Sequence, residues 1–146
     1  MTSQLAWGTA LIVLSIAIQA VLMAVAVRTI RRRAAWLGRP PYLPKLAGAF
    51  CGVSLWLLMG LGASIWIWAV FLHWTGALAD LELSLYFSLV SFTTLGFGDI
   101  LLEKPYRLLS GMMAADGLIL FGLTTAFLIE FIRSLHVAQA EAADGD

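Results

Sequence analysis

Long runs of apolar residues, separated by short polar stretches, dominate the chain. Three of these runs are long enough to cross a bilayer, and they cover about residues 5–27, 46–72 and 108–132. At 1.5 Å per residue, the first run extends over roughly 34 Å, against a hydrocarbon core of about 30 Å. A cleaved signal peptide is the alternative for this run, but the run is too long and lacks a preceding basic region. The pattern therefore predicts three transmembrane helices.

A fourth apolar run, shorter than the others, lies between the second and third predicted spans. Residues 81–93 follow Asp80, which favours a helix start, and Glu82 suits the positively polarised first turn. A helix of about 13 residues would be roughly 20 Å long and would reach halfway into a bilayer. It ends in the stretch SFTTLGFGDI (91–100), and non-helical backbone at that depth must be buried in protein or line a watery cavity. The sequence thus predicts a re-entrant segment.

The composition excludes a soluble protein. Hydrophobic residues make up 61% of the 146 positions and charged residues only 12%, and the mean hydropathy is +0.90. Such a chain cannot cover itself with a polar surface, so we expect the lipid bilayer as its surroundings. The net charge of zero provides no electrostatic footprint for nucleic acid, and no nucleic-acid partner is expected.

The charged residues predict the orientation of the spans. The linker 28–45 contains no acid and carries the basic residues Arg28, Arg31, Arg32, Arg33, Arg39 and Lys45. The positive-inside rule places this linker in the cytoplasm. The N-terminus and segment 73–107 would then be outside and the C-terminus cytoplasmic, in a plasma membrane of the bacterial inner-membrane type. We further expect residues 39–45 to be an extended proline-rich connector and residues 140–146 to be disordered.

The stretch after the half-length helix carries a specific motif. The pattern T-x-G-[YF]-G-D is filled in order by Thr94, Leu95, Gly96, Phe97, Gly98 and Asp99. With a short helix before it and a span on each side, this motif resembles the tetrameric potassium channels. The resemblance covers residues 46–133 as the pore module, preceded by an extra N-terminal transmembrane helix and basic linker (1–45) and followed by a short cytoplasmic tail (134–146). It implies an all-α membrane protein with three transmembrane helices, a re-entrant pore helix and a selectivity filter, assembled as a homotetramer with three identical subunits.

The same resemblance implies passive, selective conduction of potassium, with no enzyme activity and no cofactor apart from the permeant K⁺. Backbone carbonyls would replace the hydration shell of the ion. The carbonyls implied for this role belong to Thr94, Leu95, Gly96 and Phe97. Gly96 and Gly98 accept the positive φ angles that inward-pointing carbonyls require. A weakly selective cation channel and a non-conducting membrane accessory subunit are the alternatives.

Two filter positions depart from the commonest pattern of the family, because Leu95 stands for valine and Phe97 for tyrosine. We therefore expect the ring around the filter to depend on packing among Phe87, Phe92 and Phe97. Val90 occupies the position where some relatives place a carboxylate that pairs with the filter aspartate. No such carboxylate pair is expected in this chain.

The third predicted span resembles the family's inner helix over residues 117–128. The resemblance implies a hinge at Gly117. It also implies a cavity lined by Leu118, Phe121, Gly122 and Thr125. Close packing against another helix is the alternative role for Gly117, because glycine commonly serves this purpose in membrane helices.

Asp116 is the only acid in the middle of a predicted span, and such residues are functional candidates by default. At 100° per residue it lies about 160° from Leu118 around the helix. If Leu118 faces the cavity, Asp116 points away from it, where Ser88, Ser91 and Thr93 offer hydroxyl groups. We therefore expect a structural, protonated acid behind the pore. A ring of four carboxylates inside the cavity is the alternative.

Two pairs of small residues are predicted to mediate helix packing. Gly48/Gly52 lies in the second span and Gly111/Ala115 in the third, at the i, i+4 spacing that places both members on one helix face. The first helix has no counterpart in the two-span pore module. We expect it to pack on the outside of that module.

Overall fold

The computed structural model describes residues 2–37 and 42–144. Over these residues the protein consists of α-helices and has no β-strand. The helices are α1 (Thr2–Leu37), α2 (Tyr42–Trp74), α3 (Leu81–Phe92) and α4 (Arg107–Asp144). By length and hydropathy, three of them contain segments able to cross a membrane, which are Thr2–Arg32, Leu43–Trp74 and Arg107–Ser134. The predicted all-α membrane fold, with three spans and one shorter apolar helix, is confirmed.

Two helices extend further than the sequence predicts. α2 begins at Tyr42, so the second half of the segment 39–45 is helical rather than extended, while residues 39–41 lie outside the described part. Pro44 fits because the first turn of a helix needs no backbone N–H. α4 continues to Asp144, whereas the sequence predicts disorder from residue 140; the alanines of this stretch are strong helix formers. Residues 145–146 lie outside the described part.

The core forms where α2, α3 and α4 meet. Its fully buried side chains include Trp68 of α2, Phe92 at the end of α3 and Met113 of α4. The Phe92 ring also packs edge-on against Phe121, with the ring centroids 6.0 Å apart. The C-terminal end of α3 is thereby fixed against α4.

The connection from α2 to α3 is a tight turn in which Gly76 has a φ of +71°. The amide N–H of Ala77 donates to the carbonyl of Leu72 at 3.0 Å. The hydroxyl of Tyr106, just before α4, donates to the carbonyl of Thr75 at 2.9 Å. This bond holds the end of α2 next to the start of α4, so that α3 re-enters between them.

α1 packs against α2 and α4, and within the described part it does not contact α3. At two places a glycine lies directly against a side chain of the neighbouring helix. As the helices stand, a Cβ at Gly8 would overlap the end of the Met112 side chain of α4, and a Cβ at Gly60 of α2 would overlap the end of the Gln19 side chain. Gln19 also donates from Nε2 to Thr124 Oγ1 at 2.9 Å. α1 therefore lies on the α2–α4 pair, away from the half-length helix.

The small-residue pairs do not pack in the way that the sequence predicts within one chain. A Cβ added at Gly48, Gly52 or Gly111 would meet no atom within 4 Å. The close contacts of α1 are made at Gly8 and Gly60 instead. An i, i+4 spacing of small residues creates a smooth helix face, but it does not determine which helix lies opposite that face.

Candidate ion-conduction site

α3 begins where the sequence predicts, but its cap differs from the expected one. Asp80 occupies the N-cap position in an extended conformation (φ −109°, ψ 146°), yet its side chain makes no capping hydrogen bond. The Ser84 hydroxyl donates to the Asp80 carbonyl at 2.9 Å. Glu82 stands in the first turn, as predicted.

The chain turns sharply at the C-terminal end of α3. The carbonyl of Val90 accepts hydrogen bonds from the amides of Leu95, at 2.9 Å, and Gly96, at 3.3 Å. The amide of Thr94 donates to the carbonyl of Ser91 at 3.0 Å. The segment 94–98 therefore starts beside the end of α3, where the helix dipole presents its negative pole.

The backbone of segment 94–98 alternates in handedness. Thr94 has a φ of +59°, Gly96 of +55° and Gly98 of +75°, whereas Leu95 and Phe97 lie outside this region. In an ordinary extended strand, successive carbonyls point to opposite sides. Reversing the handedness at every second residue turns successive carbonyls to the same side. Glycine adopts positive φ easily, whereas threonine in this region is strained by about 1–3 kcal/mol.

The carbonyls of this segment are available to a ligand. Those of Thr94, Leu95, Gly96 and Phe97 accept no hydrogen bond from the described part of the chain. Backbone carbonyls at membrane depth normally have partners, and a row of unpaired ones suits a dehydrated cation. The described residues contain no group of three or more His, Cys, Asp or Glu that could hold a metal ion. These four carbonyls, which the resemblance implies as potassium ligands, are thus the candidate cation site.

Tyr86 connects the C-terminal end of the segment to α3, and the sequence does not predict this contact. Its hydroxyl donates to Asp99 Oδ2 at 2.7 Å, while Asp99 Oδ1 accepts from the amide of Ile100 at 3.1 Å. The hydrogen bond to Asp99 raises the pKa of Tyr86 further above neutral pH, so the loss of this donor moves to more alkaline pH. The absence of a carboxylate at position 90 is therefore compensated from another position of α3. In the sequence, the position of Tyr86 on α3, 13 residues before Asp99, is the feature from which this contact could have been predicted.

The predicted ring of phenylalanines does not form within one chain. Phe87 and Phe92 are buried in the core, with 6% and 0% of their surface exposed, whereas Phe97 is 65% exposed. Leu95 is 58% exposed. Phe92 is instead occupied by its contact with Phe121. The side chains of Leu95 and Phe97 therefore remain largely uncovered within this chain.

The predicted cavity residues share one exposed face of α4. They are Leu118, Phe121, Gly122 and Thr125. Gly117 lies beside this face and is buried, and a Cβ at Gly117 would collide with the carbonyl oxygen of Phe92. Gly117 thus allows α4 to touch the end of α3, which gives it a packing role; its role as a hinge stays a prediction.

Asp116 is fully buried and points away from the exposed face of α4. Its Oδ2 accepts a hydrogen bond from Trp68 Nε1 at 2.9 Å, and the Ser15 hydroxyl of α1 lies close to its carboxyl group. Asp116 Oδ1 and Ser15 Oγ nevertheless lack a hydrogen bond of good geometry within the described part. The hydroxyls predicted as partners are not used, and Ser88 Oγ has no partner either. The carboxyl group therefore joins α4 to α2 through Trp68, lies next to Ser15 of α1, and makes no hydrogen bond to α3.

The comparisons with known proteins agree with this geometry. The sequence model of an ion channel family (Ion_trans_2) matches residues 58–134, just over half of the chain. The match starts within α2, includes α3 with the segment 94–98, and ends within α4. A comparison with curated proteins gives no match, and neither does one with solved structures. On the strength of the family match, the chain belongs to the ion channel family.

Proposed function

We propose that this protein is one subunit of a homotetrameric, potassium-selective channel. The observation that carries the proposal is the row of four unpaired carbonyls at Thr94, Leu95, Gly96 and Phe97, on a backbone of alternating handedness. One chain supplies one strand of such a filter. Four chains around a common axis would complete the rings of carbonyls that replace the hydration shell of potassium.

The exposed parts of the chain support assembly. Leu95 and Phe97 are more than half exposed, although the segment follows Phe92, the fully buried last residue of α3. In a tetramer, these side chains would pack against neighbouring subunits, and the carbonyls would face the axis. The exposed face of α4 with Leu118 and Thr125 would line the cavity below the filter. The negative end of each α3 favours a cation there.

The proposed orientation places the basic end of α1 in the cytoplasm and the filter near the outside, in a plasma membrane of the bacterial inner-membrane type. The arginines Arg28, Arg31 and Arg32 are exposed at this end of α1. Positive residues next to a span favour the cytoplasmic side. Cysteine labelling of intact cells would test this orientation, with Glu103→Cys introduced into a Cys51→Ser background. We expect the introduced cysteine to be labelled from outside; labelling only after permeabilisation would contradict the proposed orientation.

The test of the function is flux from liposomes combined with native mass spectrometry of the purified protein. We expect a tetramer that transports potassium at least ten-fold faster than sodium. Equal potassium and sodium fluxes from a tetramer would indicate a weakly selective cation channel. A stable monomer or dimer without flux would contradict the channel and favour an accessory subunit.

A further inference from the structure

A groove separates α1 from α2 near the ends that carry the basic residues. Its volume is about 660 Å³, within the range of small-molecule sites. Its walls are apolar, and they include Val25, Thr29 and Ile30 of α1. The α2 wall includes Gly48 and Gly52. The groove has no part in the filter or in the face of α4 assigned to the cavity.

The two glycines create the groove. They lie one turn apart on the same face of α2, and a Cβ at either position would meet no atom within 4 Å. Trp56 closes the deep end, because its Nε1 donates to the carbonyl of Leu22 at 3.1 Å and so bridges α2 to α1. Behind the groove, Phe131 of α4 is buried against the α1–α2 contact. None of the residues that line the groove belongs to α4, so the groove opens away from α4.

The dimensions of the groove match one leaflet of a bilayer. Trp56 at the deep end and Lys45 at the other end are both lining residues. Trp56 follows Lys45 by eleven positions along the helix, which corresponds to a rise of roughly 16 Å. Half of a hydrocarbon core is about 15 Å. The groove therefore runs from the membrane surface to about the mid-plane, as one acyl chain does.

The charged residues that the structure describes at the mouth of the groove are basic. Lys45 lines this end, and Arg28 and Arg32 are exposed on the adjoining part of α1. Arg32 follows Thr29 by three residues and so continues the helix face that lines the groove. The segment 28–45 contains no acid. An apolar groove with basic side chains at its membrane-surface end is complementary to an anionic phospholipid.

We propose that this groove binds an anionic phospholipid of the leaflet next to the basic linker. One acyl chain lies against Gly48 and Gly52, and the phosphate lies next to Arg28 and Arg32. The site is independent of ion selectivity, because no filter residue takes part in it. It is built by α1 and by the first part of α2, and both lie outside the matched region 58–134.

The test is lipid retention by native mass spectrometry, with the intact protein titrated with phosphatidylglycerol and, separately, with phosphatidylcholine. We expect phosphatidylglycerol to bind at least ten-fold more tightly. The double variant Gly48→Leu/Gly52→Leu fills the groove and is expected to lose this binding at least ten-fold. Gly62→Leu is the matched control, because it lies on the same helix, also faces open space, and does not line the groove.

A second variant tests the headgroup without altering the groove. Arg32→Gln is expected to weaken phosphatidylglycerol about five-fold and to leave phosphatidylcholine unchanged, since one basic residue at a membrane surface contributes about that factor. Arg107→Gln, at the opposite end of the bundle, is expected to change neither. Equal binding of the two lipids overturns the proposal. A double leucine variant that keeps wild-type lipid binding also overturns it. If that variant keeps lipid binding but no longer oligomerises, the groove is a contact with a second copy of the chain.

Discussion

Breaking the hydrogen bond between Trp68 and Asp116 is expected to destabilise the helix bundle without altering ion conduction. Trp68→Phe removes the indole donor and keeps an aromatic ring, and Asp116→Leu removes the acceptor at similar volume. Asp116→Asn is the matched control, because its side-chain carbonyl can still accept the bond. Both residues are fully buried, so no water replaces the lost partner.

The size of the effect follows from the burial of the pair. Trp68→Phe leaves both oxygens of Asp116 without a bond of good geometry, since Oδ1 already lacks one. A buried acceptor that loses its hydrogen bond lowers the stability by about 1–3 kcal/mol, and the smaller phenyl ring lowers it further by leaving a cavity. That cavity term cancels in a double-mutant cycle. Side-chain hydrogen bonds in membrane proteins average about 0.6 and reach about 1.7 kcal/mol, so we expect a coupling energy in this range.

The assay is unfolding of the purified protein by increasing SDS in mixed micelles, followed by circular dichroism, for the two single variants and the double variant. Additivity within about 0.3 kcal/mol would mean that the bond contributes nothing to stability. Conduction of Asp116→Asn provides the second readout, and we expect wild-type conductance and an unchanged block by internal magnesium. If the asparagine variant loses either, the carboxyl group faces the ions and the reasoning fails.

Three further variants test the filter and its supports. Gly96→Ala is expected to leave the protein inserted but to bring the reversal potential in mixed potassium and sodium close to that of a non-selective pore. The reason is that an L-residue in the left-handed conformation of Gly96 costs about 1–2 kcal/mol per subunit. An unchanged reversal potential would exclude the proposed filter. Tyr86→Phe removes the donor to the filter aspartate and is expected to shorten sustained currents several-fold. The neutral hydroxyl makes the bond and the pKa of Tyr86 is raised, so this effect should be constant around neutral pH. It should fade only as the pH rises through the raised pKa, and a strong dependence near pH 7 would contradict it. Gly117→Ala is expected to lower stability in SDS by about 1–3 kcal/mol through collision with Phe92, whereas Gly122→Ala, which faces open space, is expected to have little effect.

The spans and the half-length helix could be predicted because local sequence determines them. Apolar runs longer than the hydrocarbon core must cross it, and a run half that length can only enter and return. The positive φ angles at Gly96 and Gly98 could also be expected, since the motif requires them. The same angle at Thr94 could not be expected from its residue type, because only the alternating pattern imposes it on a β-branched residue.

The partners of buried polar groups could not be predicted. Helical periodicity gives the face of Asp116 correctly relative to Leu118, but it gives no information on which helix lies behind that face. The actual donor, Trp68, is 48 residues away in sequence and lies on α2. The prediction considered hydroxyls on the nearby pore helix and did not consider α1 or α2. Long-range helix packing in a membrane depends on shape and on polar contacts between helices, which single-sequence patterns do not encode.

Two buried polar contacts hold α4 on faces other than the one proposed to line the cavity. Thr124 accepts the bond from Gln19 of α1, and Asp116, two turns earlier along α4, accepts the bond from Trp68 of α2. Apolar side chains alone would let α4 rotate against α1, because lipid solvates them equally well. Rotation of α4 would instead leave Gln19 or Asp116 in hydrocarbon without its hydrogen-bond partner. A bend at Gly117, which lies between the two contacts, would likewise have to break one of them or move the bonded helix with it. The extra helix therefore contributes one of the two contacts that hold the orientation of α4 relative to the proposed ion pathway.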